Sequence, residues 1–137
     1  MRDVLFCGKR VDTGEITEGF YFKATHHWHN HGIHEDWIAT LIVQNGGFCN
    51  VCQKYAVVPE SVGEYTGIKD KNGVKVFEHF IVKWAGQNFA VEWHHTKFVL
   101  KKDLGSEMYD YTLSCFDGSE LLVIGTTYDN PELLKEV

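Results

Sequence analysis

Val62–Lys83 reads V-G-E-Y-T-G-I-K-D-K-N-G-V-K-V-F-E-H-F-I-V-K, and the fold follows from how this stretch is read. Two β-prone runs flank Asn72-Gly73, the strongest short hairpin signal that a sequence carries. A two-residue turn of that kind holds both central residues at positive φ, which Gly adopts freely and Asn tolerates. Gly63 and Gly67 are expected to relieve the backbone at further tight turns, and Asp70 to accept from the turn N–H groups as an Asx motif. Tyr65 and Phe77 are then expected to pack on a sheet. Turn chemistry accounts for the whole run, so it reads as structural rather than as a ligand loop.

Upstream, two β-prone runs flank Asp12-Thr13-Gly14 and read as an N-terminal hairpin over 1–24. A polar, His-rich insert follows over 25–36, expected as a surface loop. The core, 37–128, opens with Trp37–Gln44 (W-I-A-T-L-I-V-Q), an apolar run of strand length closed by Asn45-Gly46-Gly47. Strand-like runs recur at Tyr55–Val58, Val74–Phe77, Phe80–Trp84, Phe89–Trp93, Lys97–Leu100 and Leu121–Tyr128, with a turn expected at Ala85-Gly86-Gln87-Asn88. The tail, 129–137, contains Asn130-Pro131-Glu132, a helix start with Asn as cap. Many short strands at this spacing indicate an all-β barrel or sandwich with one short C-terminal helix.

Composition agrees. The chain has 137 residues, the size of one domain, and 14% are aromatic, which favours strands. Net charge is −6, so no global attraction to phosphate backbones is expected; Lys97, Lys101 and Lys102 read as a solvated turn rather than a basic patch. No apolar run reaches the roughly 18 residues that span a bilayer, and the N-terminus does not resemble a signal peptide. An intracellular location follows as an expectation, with Cys7, Cys49, Cys52 and Cys115 as thiols or ligands.

Four blocks, taken in order, resemble the YopX-like family of phage and prophage proteins. They are L-F-C-G-K-R-V-D-T-G-E near the start, V-P-E-S-V-G-E-Y-T-G-I-K-D-K-N-G-V-K-V-F-E in the middle, E-H-F-I-V-K after it, and L-L-V-I-G-T-T-Y-D-N-P-E-L-L at the end. Phe80 departs from the pattern, standing where the family commonly has Asp, so the turn there lacks an Asp side chain to bond its N–H groups. The resemblance implies an SH3-type β-barrel core with additional strands, phage origin and residence in the host cytoplasm. It implies no catalytic residues, because the family's biochemical activity is unknown.

Three kinds of site were weighed on the residues themselves. A CxxC pair, Cys49 and Cys52, follows the crowded His26, His27, His29, His31 and His34. Two thiolates at that spacing suit tetrahedral Zn²⁺, and two of His27, His29 and His31, which share one face of an extended segment, would complete it. No second CxxC accompanies the pair, and the plainer reading is a polar loop beside two small cysteines. Cys7 and Cys115, in apolar runs, read as core residues. Catalytic sets can be drawn from Cys49 or Cys52 with His94 or His95, or from His with Glu35 and Asp36, but no G-x-S-x-G, P-loop or H-E-x-x-H motif supports them. An aromatic-lined surface is the third, from Trp28, Trp37, Trp84, Trp93 and Tyr65, with Trp84 and Trp93 expected to fill the core. The sequence therefore points to a non-catalytic protein-binding or assembly module without cofactor, acting on a protein partner or by self-association as a homo-oligomer. A zinc-stabilised nucleic-acid-binding accessory protein is the alternative.

Overall fold

The computed structural model describes residues 5–28, 31–44 and 48–135, and describes their side chains outside 24–35 and 41–52. The chain forms two compact units that divide between Glu64 and Tyr65. All regular structure among the described residues is β-strand or 3-10 turn.

In the first unit β1 (Phe6–Lys9), β2 (Ile16–Trp28), β3 (His31–Gln44) and β4 (Phe48–Ala56) lie in the order β4-β3-β2-β1, each neighbour antiparallel. β5 (Gly63–Lys69) starts beside β1, with Gly63 opposite Cys7 rather than in a turn. The expected N-terminal hairpin is present, with Gly14 at φ 75°. The expected loop over 25–36 is not. β2 and β3 run through it, because the backbone ladder from Phe20↔Ala39 continues to Trp28↔His31 whatever the polarity of the side chains. β3 also pairs with β4 from Trp37↔Ala56 to Gln44↔Phe48, and Asp36 C=O accepts from Val57 N–H at 3.0 Å, so Asp36 to Ala39 are bonded on both edges. Ile38, Cys7 and Val57 are buried, with Ile38 opposite Tyr21 and Cys7 opposite Glu18 on the other face of the sheet.

In the second unit β7 (Phe80–Trp84), β8 (Gln87–His94), β9 (Lys97–Lys101), β10 (Tyr111–Thr112) and β11 (Leu122–Thr126) form a five-stranded antiparallel sheet, β10-β9-β8-β7-β11. It is an open sheet with β10 and β11 at its edges, so a closed barrel is not seen in the strand order. Val76, Val82, Phe89, Val91, Leu100, Leu113 and Leu121 make its core, against which Trp84 and Phe116 pack. Fully burying side chains of this size contributes about 1.5–3 kcal/mol each before conformational entropy is counted.

The β5–β6 hairpin, with β6 at Lys75–Phe77, carries the Asn72-Gly73 pair in a different geometry from the one expected. Asp70 C=O accepts from Gly73 N–H at 3.0 Å, and Asp70 N–H donates to Val74 C=O at 2.8 Å. Gly73 alone takes positive φ, 81°, while Asn72 does not. The loop is thus a turn followed by one left-handed residue, not a two-residue turn. Asp70 performs the expected Asx role and more. Its Oδ1 accepts from Asn72 and Val74 N–H, both at 2.9 Å, and its Oδ2 accepts from Val123 N–H on β11 at 3.0 Å. Burial pushes the Asp70 carboxyl upward, but the N–H groups of Val123, Val74 and Asn72, with the Lys71 charge, outweigh it and hold the group below its ordinary value. Tyr65 and Phe77 do pair, with ring centroids 5.4 Å apart.

Two-residue turns with both φ positive occur elsewhere: Ala85 and Gly86 (52° and 77°) join β7 to β8, and His95 and Thr96 (46° and 72°) join β8 to β9. Core pairings on either side set these registers, and the turns follow. Where Phe80 replaces an Asp, the corner is held by backbone instead. His79 N–H donates to Val91 C=O and Thr127 N–H to His79 C=O, both at 2.7 Å, and the Phe80 ring packs on Phe77 at 5.4 Å.

Four further expectations are corrected. Cys115 is exposed, since it sits on a 3-10 turn (Leu113–Cys115) that buries Leu113 instead. Trp93 is 47% exposed: alternation places it on the face of Phe89 and Val91, but it stands one residue from the end of β8, past the buried run Phe89–Val91. Lys101 is buried, its ammonium donating to Ser106 C=O at 2.5 Å, so it is not part of a solvated turn. The C-terminal helix is a 3-10 helix, Pro131–Lys135, and Asn130 turns its side chain back to accept from Thr126 N–H at 3.3 Å. A Cβ on Gly125 would stand 2.6 Å from that Asn130 Oδ1, so the glycine makes room for the clasp.

Candidate functional site

The outward face of β2 and β3 is the first candidate. Ile16, Phe20 and Phe22 share one face of β2, with Glu18 between the first two, and are 48%, 51% and 37% exposed. Phe22 is opposite Trp37 and Phe20 opposite Ala39, which places all of them on one face. Lys54 holds its ammonium 4.7 Å from the Trp37 ring centroid. The buried indole Nε1–H of Trp37 has no acceptor among the described residues. On the opposite face Ile38 and Asp36 are buried, and Tyr21 has its hydroxyl pKa raised by burial first, then by the charge of Asp36 and a hydrogen bond to it. Asp36 is therefore engaged in the fold rather than displayed.

In the second unit Trp93 packs edge-on to Phe98 at 4.8 Å. Lys97 donates to the Tyr109 hydroxyl at 2.6 Å, and that bond lowers the Tyr109 pKa. His94 stacks with His95 at 4.1 Å and Tyr109 at 5.5 Å; desolvation, then the charges of His95 and Lys101, lower its pKa. His94 and His95 thus sit among aromatic and cationic neighbours.

The zinc half-motif falls partly outside the described residues: His29 lies in a gap, and the side chains of His27, His31, Cys49 and Cys52 are not described. The backbone register is. His27 pairs with Gly32 and His31 with Trp28, whereas Cys52 pairs with Leu41 and Cys49 with Val43. The two halves of the set therefore attach toward opposite ends of β3, which rises ~3.3 Å per residue.

A cluster that sequence reading passed over lies at the corner before β7. Glu78, His79 and Glu92 are half-buried, and one ligand atom from each falls within 4.8 Å of the others. His79 Nδ1 is 3.1 Å from Glu92 Oε2, and Nε2 is 3.9 Å from Glu78 Oε1. The backbone at His79 is left-handed, φ 75°. The signal was the turn itself. Once Ala85-Gly86 is a two-residue turn, extending Ile81↔Ala90 by two residues puts His79 opposite Glu92.

Comparison with known proteins comes to three findings. Residues 21–135 match the family described as YopX protein. The crystal structure of protein EF1440 from Enterococcus faecalis resembles the chain with 19% sequence identity and a TM-score of 0.47, over 98% of this chain and 99% of that one. No curated protein shows significant similarity to it.

Proposed function

The chain belongs to the YopX protein family, and from that premise we propose that it is a non-catalytic protein-binding or assembly module, encoded by a phage or prophage and working in the host cytoplasm. Its contact surface in this reading is the outward face of β2 and β3. The observation that carries the reading is the row Ile16, Phe20 and Phe22, exposed beside Trp37. Exposed apolar side chains gathered on one face, here broken by Glu18, mark interaction surfaces. At about half exposure, covering each contributes about 1 kcal/mol. The motifs behind the family likeness have structural tasks, as Asp70, Gly73, Gly125 and Asn130 show, which favours binding over chemistry.

The SH3-type barrel belongs to the same proposal, supported by the β7–β8–β9 meander followed by a 3-10 turn and a last strand. No helix among the described residues is long and apolar enough to cross a membrane. Against the zinc-stabilised nucleic-acid-binding alternative stand the net charge of −6 and the use of Lys97 and Lys101 inside the fold. Sedimentation velocity of the purified chain, and capture of partners from infected host extract, test the reading with a Phe20→Ser/Phe22→Ser variant. Loss of self-association or of a specific captured partner, with melting little changed, is expected. A variant that associates and captures like the wild type refutes the assigned surface.

A further inference from the structure

We propose that Glu78, His79 and Glu92 form a binding site for one borderline divalent cation of the Zn²⁺ class. One imidazole nitrogen and two carboxylate oxygens lie within 4.8 Å of one another. A tetrahedral ion with bonds of about 2.0–2.1 Å holds its ligands roughly 3.4 Å apart. His79 Nδ1 is 3.1 Å from Glu92 and its other nitrogen, Nε2, 3.9 Å from Glu78, so an ion taking one nitrogen draws the farther carboxylate toward it from within the 4.8 Å span, and water completes the shell. Two carboxylates flank the imidazole and give the site a negative charge that attracts a cation. Their side chains are 18–28% exposed, so solvent screens that charge incompletely while leaving an entry path. The imidazole selects a borderline ion over Mg²⁺ or Ca²⁺, which prefer all-oxygen shells.

The site is built on fixed backbone rather than on a loose loop. His79 is pinned at both its N–H and its C=O by strands β8 and the end of β11, at 2.7 Å each. Glu92 stands on β8, one residue from the Val91 carbonyl that holds His79. His79 also occupies a left-handed position, φ 75°, that Gly would take without strain. A bulky residue there costs about 1 kcal/mol or more, a cost kept where the side chain has a task. Metal and proton compete for the imidazole, so affinity rises with pH.

The test reads the site locally, because the His-rich segment and Cys49 and Cys52 offer zinc other ligands. ZnCl₂ is titrated into the isotope-labelled full chain while the backbone amides of Glu78, His79, Val91 and Glu92 are followed by NMR. Saturable shifts at these amides are expected, absent with MgCl₂ at the same concentration. His79→Gly, which relieves the left-handed strain, should abolish them while the rest of the spectrum stays folded. Glu92→Gln should weaken binding about 10-fold or more, as loss of a carboxylate at a metal site does. Amides that do not move at ten-fold molar excess, that respond equally to MgCl₂, or that still shift in either variant as in the wild type, overturn the assignment.

Discussion

Replacing Asp70 tests the fold at the point where one side chain ties a turn to a distant strand. Its carboxylate takes three backbone N–H bonds, from Asn72 and Val74 at 2.9 Å and from Val123 at 3.0 Å, and it is 6% exposed. Hydrogen bonds to a charged acceptor contribute about 1.5–3 kcal/mol each, and a buried donor left unmet costs about 1–3 kcal/mol. Asp70→Asn can keep the two turn bonds on its single oxygen but points an NH₂ group at Val123 N–H, donor against donor. Its expected cost is about 2–3 kcal/mol. Asp70→Ala loses all three; water replaces part of the loss at the turn, and about 3–5 kcal/mol is expected, a large share of a typical domain's stability. The acid side supplies a second reading. Because the folded-state pKa is depressed, the ionised group contributes stability that is present above the unfolded value, about 3.9, and lost as pH falls through the lower folded value. Urea unfolding followed by Trp fluorescence should therefore show a wild-type advantage over Asp70→Asn that is constant from pH 7 to about pH 5 and shrinks in acid below the unfolded value. An Asn variant within about 0.5 kcal/mol of wild type, or a gap that persists unchanged below the folded pKa, would refute the reasoning.

Other sites give sharper yes-or-no answers. Gly73→Val has open space for its side chain but must hold φ at 81°, so thermal unfolding should report a loss of about 1–2 kcal/mol; wild-type melting would mean that the turn is wrongly described. Gly125→Ala puts a methyl 2.6 Å from Asn130 Oδ1 and should destabilise by about 1–3 kcal/mol, with Asn130→Ala in the same chain recovering part of it. Additive losses in that double variant would exclude the clasp. Elemental analysis of protein purified without a His tag and dialysed against chelator should find far less than one zinc per chain; a retained stoichiometric zinc that Cys49→Ser with Cys52→Ser removes would mean that these cysteines meet ligands the β3 register keeps apart.

Strand positions in the second unit were legible because β-branched and aromatic runs alternate with Gly and Asn there; the run Phe80–Trp84 matches β7 residue for residue. Turn types were not legible. The strongest turn dipeptide formed a longer loop, while Ala85-Gly86 and His95-Thr96 took the tight geometry, since register is set by which core residues must face each other. The extension of β2 and β3 through a His-rich segment was missed for a related reason. A backbone ladder, once started, needs no apolar period to continue. Cys115 and Trp93 were misplaced because an apolar run does not tell where along it burial ends: Trp93 lies past the buried part of β8, and Cys115 on a turn that buries Leu113. The cluster at His79 needed a register as well as a sequence, since its partners lie 13 positions apart.

β3 is hydrogen-bonded on both edges from Asp36 to Ala39, and on a single edge toward either end. Each end can therefore separate from its one partner without disturbing the other, whereas opening the middle breaks two ladders at once. Amide exchange along this strand should accordingly follow a gradient, slowest over those four residues and faster in both directions, with two independent opening units sharing one slow centre. A substitution that loosens the β2 side would then accelerate exchange at one end of β3 and leave the β4 side as it was.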